Sequence, residues 1–361
     1  SDVYKRQTMT KLLKLERLIF LPLLILISPS LLAEMKRVDM QFDNEDRHYL
    51  IYLPEDSSAD SPIDLVIGFH GYTGTASGFE LEVTGGFNQF AELYNFISVF
   101  PQSTYFFNNG EYVGVFNDPS GSQSIGQNKE ICTLTAMIYP KFPSCKNPSR
   151  CSYMPCVDDI GFVKKLIEEI KRSYNIKNIY LFGNSNGGMF AQTFACTYPG
   201  LIAGVLNVSG SQHLGHDCVP EMPVNMVIYG SLKDEAIHPV NIESPDGYLY
   251  EAQELIANRW ANKFHCLDFQ EKLIRNQETF VEQTFSSCDE NIIVKSIINL
   301  EGAHLWPEAG FIQSSKESLW LPYGYCATDL QPELKNEKCR ANLDRDPWGA
   351  DYLVRQLLNI N

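Results

Sequence analysis

Three side chains that could act as nucleophile, acid and base occur in this chain in the order serine, aspartate, histidine. Ser185 lies in the Gly-Asn-Ser-Asn-Gly run over residues 183–187, between an apolar run over 178–182 and a helix-like run over 188–196. Glycines in a Gly-x-Ser-x-Gly motif permit a sharp turn between a strand and a helix, which leaves the serine hydroxyl exposed above the sheet. Because this motif also occurs by chance, a nucleophilic role for Ser185 requires partner residues.

The partners follow Ser185 in the chain order that serine triads with this motif use. Asp234 comes shortly after an apolar run over residues 224–229, and His304 follows another over 292–298. Both runs predict buried strands, so each side chain is expected on a loop at the carboxyl end of a strand. His304 would take the proton of the serine hydroxyl, and Asp234 would orient the imidazole and stabilise its charged form.

A site for the negative charge of an acyl-transfer intermediate is predicted near the start of the chain. The apolar strand over residues 64–69 ends in His-Gly-Tyr-Thr-Gly at 70–74. A turn of this type after an early strand supplies a backbone N–H to the oxyanion. We assign the two donors to the backbone N–H groups of Tyr72 and Asn186, and we interpret His70 chiefly as a structural member of the turn.

Four separate motifs together resemble those of polyhydroxybutyrate depolymerases and feruloyl esterases, a group of secreted α/β-hydrolases. The acid loop departs from the family pattern around Gly230, but Asp234 still matches the position of the acid. The segments at 156–162 and 260–266, with Cys288 further on, are also similar, and the resemblance covers residues 45–310. The four motifs are the turn at 70–71, the elbow at 183–189, the acid loop at 230–234 and the Gly-x-His-x-Trp-Pro run at 302–307.

The resemblance implies an α/β-hydrolase fold, with a mostly parallel central sheet, helices on both faces and disulfide-stapled loop insertions. It implies a serine carboxylic-ester hydrolase that works through an acyl-enzyme. The expected substrates are feruloyl or other acyl esters of plant cell-wall polysaccharides, or polyesters of the polyhydroxyalkanoate type. No cofactor and no metal are expected.

Two other functions remain open. A serine peptidase could use the same fold, although no motif in this chain indicates a peptide-binding pocket. A catalytically inactive hydrolase fold could serve as a binding protein, although that usually follows the loss of a triad residue, and none is lost here.

Side chains that could contact the substrate are expected in the loops around the triad. Trp306 is the first candidate because it lies two residues beyond His304, and Tyr72 and His70 are the others. Aromatic residues also follow the predicted strand at 96–101, where loops line the pocket of an open α/β sheet. They could bind a feruloyl ring or a polyester chain, or form a satellite core, and both interpretations remain open. These aromatic residues are Tyr105, Phe106, Phe107, Tyr112 and Phe116.

The amino-terminal residues have the pattern of an export signal. Residues 1–8 precede Met9 and are interpreted as an expression or read-through artefact. Residues 9–33 run from basic to apolar to small and predict a signal peptide. An uncleaved anchor is the alternative, although the apolar core is short for a membrane span and contains Pro22. We expect residues 34–361 to form a single α/β-hydrolase catalytic domain, secreted or periplasmic, without stable membrane insertion.

Ten cysteines fit an exported, oxidised protein, but their spacing does not fix the pairing. A metal site is disfavoured, because Cys151 and Cys156 lack a second pair at zinc-site spacing and the polar cluster at 213–218 is ordinary for a loop. The resemblance implies a bond between Cys266 and Cys288. The other candidate pairs are Cys151 with Cys156, Cys196 with Cys218, and Cys326 with Cys339.

The net charge of −15 at pH 7 excludes some partners. An acidic surface repels nucleic acid and polyanionic substrates such as pectin, whereas neutral polyesters and arabinoxylan esters remain acceptable. We therefore expect no nucleic acid as a partner. The expected partner is an ester substrate, and the protein is expected to be a monomer.

Strand and helix patterns alternate along the rest of the chain, which predicts a mostly parallel sheet covered on both faces. An early edge strand is predicted at 47–54, and Asp158 or Asp159 is expected to cap the helix at 162–170. Further strands are predicted at 64–69, 96–101, 178–182, 202–208, 224–229 and 292–298, and further helices at 87–94, 188–196, 251–264 and 352–358.

Overall fold

Strands and helices alternate along the chain, as the sequence predicts. The structure is a computed structural model that describes residues 35–55, 57–108, 111–118, 157–215, 217–240, 242, 244, 250–304, 306–307 and 348–360. The strands are β1 Lys36–Phe42, β2 Glu45–Tyr52, β3 Ile63–Phe69, β4 Phe96–Pro101, β5 Tyr105–Asn108, β6 Glu111–Gly114, β7 Ile176–Asn184, β8 Gly204–Val208, β9 Asn225–Ser231, β10 Asp268–Arg275, β11 Thr279–Ser286 and β12 Val294–Asn299. The helices are α1 Ala76–Gly78, α2 Asn88–Tyr94, α3 Asp159–Ser173, α4 Asn186–Thr197, α5 Gln253–Lys263 and α6 Trp348–Leu358, with a π-helix at Phe79–Val83 directly after α1.

Ten strands form one sheet in the order β1-β2-β4-β3-β7-β8-β9-β12-β11-β10, and β5 pairs with β6 in a separate hairpin. The neighbours from β4 through β3, β7, β8 and β9 to β12 run parallel. The strands at both ends of the sheet pair antiparallel. With the turn at Ser185 joining β7 to α4, this mostly parallel sheet has the α/β-hydrolase fold that the sequence predicts.

The sheet is covered on both faces because its central strands are apolar on both sides. Along β3, Leu65 and Ile67 pack into one core and Val66 packs into the other, as the two-residue period of a strand requires. The first core contains residues of α3, α4 and α5, and the second contains residues of α2 and α6. Burial on both faces explains why these strands appear in the sequence as nearly continuous apolar runs.

The two ends of the sheet differ from the sequence prediction. The predicted edge strand at 47–54 corresponds to β2, which is an inner strand because β1 pairs with its outer side, so the edge assignment is wrong. The turn between them uses Asp43 and Asn44 at φ 52° and 65°, the backbone that tight two-residue hairpin turns need. At the other end, the sequence patterns miss β10 and β11, because β10 is exposed along nearly its whole length and has no apolar run.

Two disulfides lie within the described residues. Cys196–Cys218 joins α4 to the loop after β8, and Cys266–Cys288, the pair that the resemblance implied, joins the segments after α5 and β11. The other two candidate pairs, Cys151 with Cys156 and Cys326 with Cys339, lie outside the described residues, as do residues 1–8 and the predicted signal peptide at 9–33. All described residues belong to the compact unit Ala33–Asn361. Among them, no helix is long and apolar enough to cross a membrane.

A buried ion pair joins the sheet to the start of α3. The Arg47 guanidinium on β2 lies 2.6 Å from the Asp159 carboxylate, and both side chains are almost completely buried. The guanidinium also lies 3.9 Å above the centre of the Phe162 ring, and the second oxygen of Asp159 accepts the backbone N–H of Asn117 at 2.7 Å. Asp159 is therefore the partner of Arg47, and Asp158 is the residue that caps α3.

We predict that Arg47→Ala lowers the free energy of unfolding by about 3–5 kcal/mol, because it leaves the Asp159 carboxylate buried without its counter-charge. Arg37→Ala is the control, since Arg37 forms a 2.8 Å ion pair with Asp39 at exposed positions. The control change should cost no more than about 1 kcal/mol. Denaturation in guanidinium chloride measures both values, and equal losses would contradict the role of the buried pair.

Candidate active site

Ser185 occupies the sharp turn between β7 and α4. Its backbone has φ 57° and ψ −125°, a conformation that is strained for a residue with a side chain. Ser185 is the N-cap of α4, yet its side chain makes no capping hydrogen bond. The hydroxyl is therefore not committed to the helix, and the backbone geometry is that of a nucleophile elbow.

Close backbone contacts explain two of the glycines around Ser185. A Cβ atom on Gly187 would lie 2.1 Å from the carbonyl oxygen of Phe69, the last residue of β3. A Cβ atom on Gly71 would lie 3.3 Å from the Cβ of Ser185 and 3.1 Å from the carbonyl oxygen of Asn184. The turn after β3 therefore packs directly against the turn at Ser185.

The His70 ring holds this turn from the inside. The residue is 1% exposed, its Nδ1 lies 2.8 Å from the carbonyl oxygen of Gly71, and its Nε2 accepts the backbone N–H of Ser103 at 3.3 Å. These contacts fit an imidazole that carries its hydrogen on Nδ1 and donates it to Gly71. This position fits the structural role, and the burial of His70 gives no support to its place among the predicted substrate contacts.

Asn186 connects the elbow to the segment after β6. Its side-chain oxygen accepts the backbone N–H of Phe116 at 2.9 Å, and its side-chain nitrogen donates to the Phe116 carbonyl at 3.0 Å. As the first residue of α4, Asn186 also carries a backbone N–H that has no acceptor within the helix. This N–H lies at the positive end of the helix dipole, where an anion is stabilised.

Asp234 and His304 meet across two loops. His304 Nδ1 lies 2.7 Å from Asp234 Oδ2, while Asp234 Oδ1 accepts the N–H groups of Ala236 at 2.9 Å and Ile237 at 2.8 Å. The Asp234 residue is 1% exposed, and His304 is half-buried. The loop that carries Asp234 thus fixes the carboxylate, which engages Nδ1 of His304 rather than Nε2.

One row of paired residues across the sheet shows that the three loops start at the same edge. Ser185, Asp234 and His304 all follow this row, on the loops after β7, β9 and β12. The row consists of Asn184, Val208, Tyr229 and Ile297. Within the described ranges, no group of three or more His, Cys, Asp and Glu residues could hold a metal ion.

The two remaining predicted substrate contacts differ in exposure. Trp306 is 2% exposed, and its ring centroid lies 6.3 Å from that of Phe79 and 5.8 Å from that of Phe182. Its indole ring belongs to the core, so its position does not support the predicted contact with substrate. Tyr72 is 38% exposed in the turn beside Ser185 and stays the candidate contact.

The aromatic residues after β4 are divided between core and surface. Phe116 is completely buried, with ring centroids 5.3 Å from Phe69 and 4.9 Å from Phe190, which fits the satellite-core interpretation. Tyr105 is 42% exposed, so the structure leaves the binding interpretation open for this residue. The side chains of Phe106, Phe107 and Tyr112 lie outside the described set.

Buried polar side chains beneath the elbow are absent from the sequence prediction. Asn207 on β8 donates to Gln192 at 3.0 Å and to the Gly210 carbonyl at 2.9 Å, and Thr193 donates to Asp118 at 2.5 Å. The one available signal was a polar residue inside an apolar run, as at Asn207. The partners are distant in the chain, so a single sequence does not identify them.

Glu80 is a buried carboxyl group in the π-helix at Phe79–Val83, directly after α1. It is 3% exposed, and its Oε1 has no hydrogen-bond partner among the described residues. Burial raises the pKa of Glu80 to about 7, although the backbone N–H groups of Asn88 and Phe87 oppose the rise. The ionisation of this buried group therefore changes near neutral pH.

Several solved structures are similar to this chain at low sequence identity. A thermostable esterase is 16% identical with a TM-score of 0.40 over 64% of this chain, and the chain spans only 52% of that protein. The acetyl xylan esterase from Aspergillus awamori is 14% identical with a TM-score of 0.48, over 80% of this chain and 98% of that one. A CE1 ferulic acid esterase from Anaeromyces mucronatus, in complex with ferulic acid, is 14% identical with a TM-score of 0.44, over 78% and 88%. No family model and no curated protein matches the chain.

We predict that Gly187→Ala destabilises the fold by about 1–3 kcal/mol, because the new methyl group meets the backbone of Phe69 and His70. Gly200→Ala is the control, since its Cβ would make an ordinary 3.5 Å contact with Met222. That change should alter stability by less than about 1 kcal/mol. Thermal unfolding measures both changes, and wild-type stability of Gly187→Ala would contradict the packing of the turn on the elbow.

We predict that Glu80→Gln becomes more stable relative to the wild type as the pH rises from about 4.5 to 8. Because the pKa of Glu80 is raised in the folded protein, the stabilising contribution of Glu80 is complete below the pKa that this residue has in the unfolded chain. The contribution is lost as the pH rises through about 7. The shift corresponds to a relative change of about 3 kcal/mol between these limits. Glu254→Gln, at an exposed position on α5, is the control. Denaturation curves across the pH range test this, and parallel pH profiles for Glu80→Gln and wild type would contradict it.

Proposed function

We propose that this chain is a serine carboxylic-ester hydrolase with Ser185 as nucleophile, His304 as general base and Asp234 as the acid that orients it. The observation that carries the proposal is the 2.7 Å contact of His304 Nδ1 with Asp234 Oδ2, on loops that start at the same sheet edge as the strained turn of Ser185. A serine, a histidine and an aspartate with this local geometry have the parts of a charge-stabilised acyl-transfer site.

The order of proton transfers in the proposed reaction follows from the contact between His304 and Asp234. Because Nδ1 of His304 is engaged by Asp234, its Nε2 takes the proton of Ser185 as Oγ bonds to the ester carbonyl carbon. The tetrahedral intermediate then collapses, the carbon–oxygen bond to the alcohol breaks, and Nε2 returns the proton to the departing alcohol. A water molecule, activated by the same imidazole, hydrolyses the acyl-Ser185 ester and releases the acid.

The negative charge of both tetrahedral intermediates is assigned to the backbone N–H groups of Tyr72 and Asn186. The close approach of Gly71 to Ser185 and the position of Asn186 in the first turn of α4 support this assignment. Backbone donors are held by the fold, so they need no rearrangement when the charge forms.

The proposed substrates are feruloyl or other acyl esters of polysaccharides, or polyesters of the polyhydroxyalkanoate type. The sequence motifs support this class, and the net charge of −15 favours neutral over anionic polymers. The exposed aromatic rings of Tyr72 and Tyr105 could bind the acyl group or the polymer chain. The signal-peptide pattern and the two disulfides support an exported protein.

We predict that Ser185→Ala abolishes hydrolysis of p-nitrophenyl butyrate in a folded protein. Asp234→Asn should lower kcat by roughly 10⁴-fold, because the His304 imidazole loses its orienting carboxylate. Asp289→Asn is a matched control: Asp289 lies at the same 2.7 Å distance from a histidine, His265, but both side chains are exposed. Its kcat should not change. A serine-reactive phosphonate should label the wild type and not Ser185→Ala. Full activity of Ser185→Ala would overturn the proposal.

The substrate class is tested with four esters and one enzyme preparation. The proposal expects turnover of at least one among methyl ferulate, acetylated xylan and polyhydroxybutyrate film, measured as acid released. An aromatic polyester film, which lies outside the proposed class, is the comparison. Activity on p-nitrophenyl butyrate or on the aromatic polyester, with none on the other three, would retain the esterase and overturn the substrate class.

A further inference from the structure

The contact between Asp234 and His304 depends on the relative position of two loops. The acid loop, at 230–234, lies at the end of β9, and the histidine loop, at 300–304, follows β12. The loops are tied directly by the Lys233 N–H, which donates to the Gly302 carbonyl at 3.0 Å. Upstream, the Leu232 N–H donates to the carbonyl of Asn299, the last residue of β12, at 2.8 Å. Asn299 is therefore in contact with the acid loop through its backbone.

The Asn299 side chain holds the other loop. Its Oδ1 accepts the backbone N–H groups of Glu301 at 3.0 Å and Gly302 at 2.9 Å, at the turn that leads to His304. The residue is completely buried. The side-chain oxygen of Asn299 thus holds the histidine loop, while the backbone carbonyl of the same residue accepts a hydrogen bond from the acid loop.

The side-chain nitrogen of Asn299 also has an acceptor for each of its two hydrogens. Nδ2 donates one hydrogen to the Tyr229 hydroxyl at 2.8 Å and the other to Glu278 Oε2 at 2.7 Å. Tyr229 lies on β9, the strand that precedes the acid loop, and Glu278 lies in the turn between β10 and β11. Two acceptor contacts and two donor contacts fix the rotation of the amide, so Oδ1 must face the histidine loop.

Close packing of Gly302 restricts the movement of the histidine loop relative to the Asn299 amide. A Cβ atom on Gly302 would lie 2.3 Å from Asn299 Nδ2 and 2.9 Å from the Ser231 hydroxyl. The backbone of the histidine loop therefore lies directly against both Asn299 and the end of β9.

We propose that Asn299 is the positioning residue that keeps His304 in register with Asp234. The inference rests on the proposed function, and Asn299 acts through the two loops without touching the reacting atoms. An amide is required because the site demands two acceptor contacts on one side and two donor contacts on the other. Aspartate has the same shape but no donor, and it would place a carboxylate against Glu278.

The test uses Asn299→Asp, Glu278→Gln and the double variant. Asn299→Asp should lower kcat on p-nitrophenyl butyrate by about 10–100-fold with little change in KM, because a misplaced base slows the chemical step and leaves substrate binding intact. Glu278→Gln alone should have a small effect, since its side-chain oxygen still accepts from Asn299. In the double variant the amide introduced by Glu278→Gln can donate to the new carboxylate, so kcat should recover most of the loss.

Asn225→Asp is the matched control for a purely structural effect. Asn225 lies at the opposite end of β9, where its side chain accepts from Ile293 at 2.8 Å and donates to the Ala203 carbonyl at 2.9 Å. This change should lower stability without lowering kcat per active site, counted by phosphonate titration. An unchanged kcat per site in Asn299→Asp, or a loss that Glu278→Gln does not relieve, would overturn the inference.

A second readout does not depend on ester hydrolysis. The hydrogen between His304 Nδ1 and Asp234 should give a low-field proton NMR signal, identified by its loss in Asp234→Asn. This signal should shift or disappear in Asn299→Asp, return in the double variant and remain in Asn225→Asp. If the wild type proves inactive on esters, the proposed function fails while this signal still decides the positioning role, and an unchanged signal in Asn299→Asp would overturn that role.

Discussion

The positive φ of Ser185 is the constraint around which the neighbouring structure is arranged. A non-glycine residue in such a conformation costs of order 1–3 kcal/mol, which the surrounding structure must offset. The Ser185 N–H donates to the Val208 carbonyl at 2.8 Å, and its own carbonyl accepts from Gly188 and Met189 at 2.9 and 3.1 Å. Relaxing the strain would therefore break the edge of the sheet and the first turn of α4 together.

The residues that we propose for the chemistry are candidates from the sequence alone because each lies in a short local pattern. Ser185 lies in a glycine motif between a strand and a helix, and Asp234 and His304 each follow an apolar strand. The supporting residues show no such pattern: Arg47 and Asp159 are 112 positions apart, and only the fold brings them together. Trp306 illustrates the limit of proximity in sequence, because two residues beyond His304 the side chain is already in the core.

The central strands of the sheet could be predicted from the sequence, whereas the edge strands could not. Central strands such as β3 and β8 are buried on both faces, so their apolar runs identify them without knowledge of their neighbours. β1 and β10 lie at the edges, are mostly exposed, and consist largely of polar residues. Their strand conformation is specified by pairing with β2 and β11, which is information that the local sequence does not contain.

The two halves of the candidate site are held by different physical means. On the side of Ser185, glycines allow the backbone of the turn after β3 to approach the elbow, and a Cβ atom on Gly187 would lie only 2.1 Å from the Phe69 carbonyl oxygen. On the side of Asp234 and His304, the two loops are joined by backbone hydrogen bonds and by those of the buried Asn299 amide, against which Gly302 packs. Loss of a hydrogen bond can be partly compensated by a new partner, whereas a backbone clash cannot. Substitution of Gly187 should therefore be poorly tolerated on the side of Ser185, whereas the contact between Asp234 and His304 should be adjustable through residues such as Asn299 that act through the two loops.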